Sequence, residues 1–172
     1  MPNITIHNAH LSRFLISAIA FFCDWTSIPT GNAQSLPSQT LPQQRSYVGI
    51  GGATGLQGTT TSLSSGGFAL LSKRVLTENL AIHSANTIFG SSVSASAIAL
   101  TYNQPIDRLF TPFLGGGIMT YYENGVRIVP LITGGVDLSI SEQLTGTIRT
   151  NVGFVSDRQA DVGILFGIGL NY

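Results

Sequence analysis

Apolar and non-apolar residues alternate along the last third of the chain. From Val162 the even positions are Val162, Ile164, Phe166, Ile168, Leu170 and Tyr172, separated by Gly163, Leu165, Gly167, Gly169 and Asn171. A two-residue period is that of a β-strand with one apolar face. The length of this segment suits a tilted strand crossing a bilayer, which takes about 9–11 residues. The preceding segments behave alike. Over 144–154 the even set is Leu144, Gly146, Ile148, Thr150, Val152 and Phe154, and the odd set holds Thr145, Thr147, Arg149, Asn151 and Gly153. Over 126–140 the even positions are again apolar or small, while the odd ones include Arg127, Thr133, Asp137 and Ser139.

Extending this reading toward the N-terminus predicts strands over 46–56, 67–76, 79–89, 93–103, 110–121, 126–139, 144–154 and 160–172. The connections between them carry turn residues, such as Thr77-Glu78-Asn79, Gln104-Pro105-Ile106-Asp107, Glu123-Asn124-Gly125 and Ser141-Glu142-Gln143. Each connection suits a hairpin, so the strands should pair with their sequence neighbours. The segment 93–103 has Ser and Ala on both faces and leaves its register weakly specified. The expected fold is all-β: an eight-stranded antiparallel up-and-down transmembrane β-barrel.

A soluble sandwich or a lipocalin-like ligand-binding barrel would also alternate, with the apolar side chains turned inward. Such folds carry Lys and Glu on the face in water. Here the non-apolar face is Gly, Ser, Thr and Asn with a few ions, a composition suited to a narrow, crowded lumen. The last strand has no charge or proline after Asp161 to blunt pairing at an open edge, so it should be closed onto a partner. Nearly every aromatic outside the signal peptide also falls at one of two levels, with Phe166, mid-strand, the exception. With both termini on one side, Tyr47, Tyr102, Phe110, Phe113 and Tyr172 belong to one rim, and Phe68, Phe89, Tyr121, Tyr122 and Phe154 to the other. Two aromatic levels are expected where rings sit among lipid headgroups.

Composition agrees with an all-β chain: 9% of residues are charged, glycine occurs 20 times, and the formal net charge is zero. The charge balance gives no reason to invoke a nucleic acid. Cys23 is the single cysteine, so neither a disulfide framework nor a cysteine metal site is expected. Residues 1–33 have the form of a cleavable signal peptide. Arg13 precedes the apolar run Phe14–Phe22, and Gly31-Asn32-Ala33 offers small residues for cleavage. Residues 34–45 are rich in Pro, Gln and Ser and read as a flexible lead-in. The domain organisation expected is therefore signal peptide 1–33, lead-in 34–45 and barrel domain 46–172.

Over 47–172 the chain resembles the small outer-membrane β-barrel proteins of the OmpA-transmembrane or porin family type, especially cyanobacterial ones. The resemblance is carried by Tyr47-Val48-Gly49-Ile50-Gly51-Gly52, Gly67-Phe68-Ala69, Leu76-Thr77-Glu78-Asn79-Leu80, Pro112-Phe113-Leu114-Gly115-Gly116-Gly117 and the segment from Asp161 onward. It implies residence in the cell outer membrane after export through the periplasm. It also implies that the terminal strand is an assembly signal, with Gly167, Leu170 and Tyr172 at the family's spacing and Leu165 departing from its polar starting residue. The implied partners are outer-membrane lipid and the outer-membrane barrel-assembly machinery. A peptidoglycan-binding domain like that appended to OmpA is not expected.

Candidate chemistry is sparse. Pairing 126–139 with 144–154 about Ser141 places Asp137 opposite Thr145 or Thr147, with Arg149 in diagonal reach. Pairing 144–154 with 160–172 places Asp161 opposite Gly153, and Arg127 near the same level one strand over. Two lumenal ion pairs are expected, Asp137–Arg149 and Arg127–Asp161, because a charge in so narrow a lumen is costly unless paired. They either fill the interior or exchange partners to admit small solutes; eight strands leave room for little beyond their own side chains. His83 is the one histidine outside the signal peptide, and Ser84, adjacent in a strand, should face away from it. No catalytic residue, metal site or cofactor is implied, which weighs against an outer-membrane lipid-modifying enzyme. Gly115-Gly116-Gly117 lies within a strand and is no phosphate loop. The expected role is structural or surface interaction, with the polar connection Gln57–Gly66 as the place for a binding surface, and restricted small-solute permeability stays open beside it.

Overall fold

The computed structural model describes residues 44–57, 66–89, 93–122, 125–155 and 159–172. Eight strands follow one another: β1 (Tyr47–Gln57), β2 (Gly67–Val75), β3 (Leu80–Phe89), β4 (Val93–Asn103), β5 (Phe110–Tyr122), β6 (Val126–Ser139), β7 (Leu144–Val155) and β8 (Gln159–Asn171). Every strand pairs antiparallel with its sequence neighbour, and β8 pairs with β1 to close the barrel. The expected ends hold to within one residue throughout. The proposed signal peptide and all but the last two residues of the lead-in lie outside the described residues, as does the polar connection over 58–65.

Closure brings Val48 opposite Leu170, Ile50 opposite Ile168 and Gly52 opposite Phe166, so the terminal strand's apolar face continues directly onto β1. A bulge between Gly55 and Gln57 ends the regular part of that seam. The three described connections at the end of the barrel where β1 starts and β8 ends share one device. In each, a side-chain oxygen accepts from the backbone N–H groups two and three residues on: Thr77 from Asn79 and Leu80, Asp107 from Leu109 and Phe110, Ser141 from Gln143 and Leu144. Such local bonds favour a tight turn over continued strand.

The alternation resolves into two faces. Phe166 and Leu170 are 53% and 66% exposed on the outside, whereas Asp137 and Arg149 are 4% and 2% exposed within. In β4 the face left open by the sequence is settled: Ala95, Ala99, Thr101 and Asn103 turn inward, while Ile98, Leu100 and Tyr102 turn outward. The lumen itself is apolar for much of its length, filled by residues such as Leu71, Met119, Leu131 and Leu165 against Ala69 and Ala85. The aromatic girdle is thinner than expected. Phe68, Tyr102, Phe110, Phe154 and Tyr172 are exposed on the outer face, but Tyr47, Phe113 and Tyr121 are buried in the lumen. Level along a strand does not decide facing; Tyr47 shares the inward parity of Gly49, and Phe113 that of Gly115.

An outward position at mid-belt is expected to reject charge. Ile132, flanked by Gly116 and Val152 in the ladders, is 48% exposed. Ile132→Arg should destabilise the barrel by about 2–4 kcal/mol in lipid vesicles, measured by denaturant unfolding. An unchanged or raised stability would mean that this face does not lie in hydrocarbon.

Candidate functional site

The lumenal groups Lys73, Asp137, Arg149 and His83 gather at the end of the barrel where β1 starts and β8 ends. Alternation along β6 turns Asp137 inward, and the same parity along β2, β3 and β7 turns in Lys73, His83 and Arg149. The Lys73 ammonium donates to Asp137 Oδ2 at 2.9 Å, with 3% and 5% of the two side chains exposed. The Tyr47 hydroxyl donates to Asp137 Oδ1 at 3.0 Å and accepts from Arg149 Nη2 at 2.8 Å. Arg149 also spans the lumen, donating to the backbone carbonyls of Ser84 at 3.0 Å and Ser72 at 3.4 Å. Its guanidinium carbon lies 6.0 Å from the centre of the Tyr47 ring.

One carboxylate thus binds one cation directly and the second through the Tyr47 hydroxyl, and carbonyl dipoles and an aromatic face stabilise that second cation. A buried ion pair is stable only where further hydrogen bonds satisfy its remaining groups. His83 completes the cluster. Its Nε2 is 3.3 Å from Asn103 Oδ1 and 4.0 Å from Asp137 Oδ2, and its ring stands 4.2 Å from that of Phe113. Asn103 is held in turn by its own amide, which donates to the Thr101 hydroxyl at 2.8 Å and to the Thr101 carbonyl at 3.0 Å. Ser84 turns to the outer face, where its Oγ lies 2.6 Å from Ser72 Oγ, so it forms no dyad with His83.

Inward glycines make room for these side chains. A Cβ on Gly169 would come within 2.5 Å of the Tyr47 ring, and one on Gly135 within 2.9 Å of Phe113. Toward the opposite end, a Cβ on Gly153 would lie 2.9 Å from the Tyr121 hydroxyl. Large and small residues from facing strands therefore interlock across the barrel. Between the two ends, a cavity of about 20 Å³ is bordered by Ala85, Thr87, Met119, Asn151 and Leu165. That is about the space of a single water molecule.

The register places Asp137 opposite Thr147, within the expected range, but the carboxylate's direct cation is Lys73 rather than Arg149. Arg149 reaches Asp137 through the Tyr47 hydroxyl. The second expected pair is not brought together. Asp161 is opposite Gly153 as expected, yet it is buried near Tyr121, while Arg127 is exposed at the rim opposite Tyr121 in the β5–β6 ladder. The observed register is the cause: Gly153 is opposite Asp161 on one side and Leu131 on the other, so Arg127 stands four residues further along β6, toward the tip. Lys73, Tyr47 and His83 were missed as site residues. The inward parity of Lys73 with Ala69 and Leu71 was the available signal.

In the proposed assembly signal, Gly167 lies inward, where a Cβ would meet Leu71. Leu170 is outward and opposite Val48, and the backbone N–H of Tyr172 donates to the Ser46 carbonyl at 3.1 Å. Leu165, where the family pattern has a polar residue, fills the lumen.

The chain matches no known protein-family model and no curated protein sequence. Its fold is shared with solved structures of low identity. The N-terminal β-barrel domain of Pseudomonas aeruginosa OprF superposes with a TM-score of 0.58 at 9% identity, covering 76% of this chain and 98% of that one. The Yersinia pestis outer membrane protein Ail, in a phospholipid bilayer nanodisc, gives 0.52 at 10% identity, covering 74% and 99%. Neisserial surface protein A gives 0.52 at 11% identity, covering 74% and 97%. The architecture is that of small eight-stranded outer-membrane barrels. The cyanobacterial part of the resemblance finds no support among these neighbours.

The lumenal network makes a measurable demand. Lys73→Met leaves Asp137 buried without its direct cation and should cost about 3–5 kcal/mol in denaturant unfolding from lipid vesicles. Combining it with Asp137→Asn should recover most of that loss. A double-mutant cycle should give a larger coupling for Lys73 with Asp137 than for Arg149 with Asp137; the reverse order would refute the assignment of partners.

Proposed function

We propose that the chain is an integral outer-membrane β-barrel that serves the cell envelope as a structural element and carries its connecting loops at the surface. The observation that supports this reading is its polarity. Large apolar side chains such as Ile50, Leu114, Ile132, Ile168 and Leu170 stand exposed around the outer wall, and the buried ions lie inside. A barrel made for water would reverse that arrangement, because an exposed apolar area of this extent favours association. In a bilayer the same area is solvated by acyl chains, and closure of the strands into a barrel pairs the ladder groups that an open edge would turn toward them.

The lumen favours a closed barrel over a pore. Leu71, Met119, Leu131 and Leu165 fill its middle, and the Lys73–Asp137–Tyr47–Arg149 network crosses one end. Solute passage would require both to rearrange. Outer-membrane lipid is the solvent of the outer wall in this reading, and the barrel-assembly machinery is the partner that inserts it. Strand addition at the free edge of β8, before it closes onto β1, is the physical route for that recognition.

In cells the protein should fractionate with the outer membrane and migrate differently on gels before and after boiling. Purified and folded, it should leave a planar bilayer silent, and its deletion should alter envelope integrity without changing small-solute flux. Recovery in the soluble fraction without detergent contradicts the membrane reading. Frequent discrete conductance steps contradict the closed lumen.

A further inference from the structure

Inward side chains on the last rungs of a barrel should meet water at its mouth. Two of them do not. Tyr47 is the first residue of β1 and Asn103 the last of β4, yet both are 0% exposed. Gln44 and Arg45, just before β1, lie across this mouth. Gln44 Nε2 donates to the carbonyl of Glu78 at 2.6 Å and to that of Asn103 at 3.2 Å. Arg45 Nη1 donates to the carbonyl of Glu142. Glu78 lies in the β2–β3 connection and Glu142 in the β6–β7 connection, half of the closed sheet apart. Two consecutive residues therefore reach opposite sides of the mouth. Ser46 anchors them to the wall: its Oγ accepts from the Val75 N–H at 3.1 Å, and its carbonyl from the Tyr172 N–H at 3.1 Å.

The segment is one contact away from the ion cluster, because Asn103 holds His83 and Tyr47 holds Asp137. Its own attachments are replaceable. Gln44 and Arg45 bond only to main-chain carbonyls in these contacts, and Arg45 is exposed, so water can take their place. Two buried atoms at this mouth, Gln44 Oε1 and His83 Nδ1, have no hydrogen bond among the described residues, and water would satisfy both. An open recess of about 480 Å³, bordered by Gln44, Arg45, Val75 and Glu142, leaves the segment room to move.

We propose that Gln44 and Arg45 form a strap that closes the lumen where β1 starts, and that its release admits water to the ion cluster. This step rests on the closed, membrane-inserted barrel proposed above. In place, the strap keeps water from Lys73, Asp137 and Arg149, whose mutual interactions are strongest where water is excluded. Released, it wets this end alone, because Leu71, Met119 and Leu131 still fill the middle of the barrel.

The test is thiol access, with the Cys23→Ser chain folded in lipid nanodiscs that leave both barrel ends in solution. Asn103→Cys places a thiol beneath the strap and keeps the carbonyl to which Gln44 donates. Thr101→Cys, two residues deeper and also 0% exposed, is the probe should the first not fold. With the strap intact, the probe should react slowly with a small charged methanethiosulfonate. Gln44→Ala should speed that reaction roughly ten- to hundredfold, and Arg45→Ala by about fivefold or more. Arg45 is bonded on the Glu142 side, so its effect at residue 103 reports the strap moving as a unit. Met119→Cys, buried in mid-lumen, should react at one rate in all backgrounds. Fast reaction of the probe with the strap intact, no change in either strap variant, or equal acceleration at Met119→Cys overturns the proposal. Failure of the underlying readings is seen separately. Recovery in the soluble fraction without detergent removes the membrane, and conductance steps from the chain with its strap intact remove the closed lumen.

Discussion

The structure depends on the pairing of β8 with β1. A sheet of eight strands left open would present two rows of unpaired N–H and C=O groups, which water can solvate and acyl chains cannot. Closing the last strand onto the first removes both rows at once. It also sorts the side chains without further choice, because alternation sends every second residue of each strand into the cylinder. The apolar set of β8 and the apolar set of β1 fall on the same side only in a register of the parity observed, with Ile50 opposite Ile168. A slip of one residue would turn Phe166 and Ile168 inward and Leu165 outward.

The interior then has to be filled, and it is filled unevenly. Near the start of β1 and the end of β8 a single carboxylate, Asp137, holds Lys73 directly and Arg149 by way of Tyr47. Further along, aliphatic side chains meet alanines and glycines, with polar contacts confined to pairs such as Thr133 and Asn151 at 2.7 Å. The barrel is thus apolar on both sides over much of its height. Inward glycines are part of the packing, since Tyr47 and Phe113 occupy the space that side chains at Gly169 and Gly135 would take. An interior of this kind is packed as a core, with the ion cluster as a brace at one end.

Strand positions were legible in the sequence because a period of two is a local property and the turns that interrupt it carry their own side-chain chemistry. Facing was legible for the same reason wherever one parity is clearly apolar, as in β7 and β8. Contacts across the lumen were not. That Lys73 and not Arg149 takes the Asp137 carboxylate depends on the diameter and stagger of the closed barrel, which join β2 to β6 and appear in no local pattern. Arg127 was misplaced because a turn about Ser141 leaves the β6–β7 register open by two residues, and in the register observed Leu131, not Arg127, shares the level of Asp161. The aromatics Tyr47, Phe113 and Tyr121 were assigned by level, although their parity already pointed inward.

The central claim is one of orientation, and fluorescence reads it directly. With Trp25 replaced by Phe, a tryptophan introduced as Phe166→Trp reports on the outer wall, and one introduced as Phe113→Trp reports on the lumen. In vesicles of lipid brominated along its acyl chains, the first should be strongly quenched and the second should retain its emission. Equal quenching of the two, or quenching of the lumenal position alone, would contradict the account.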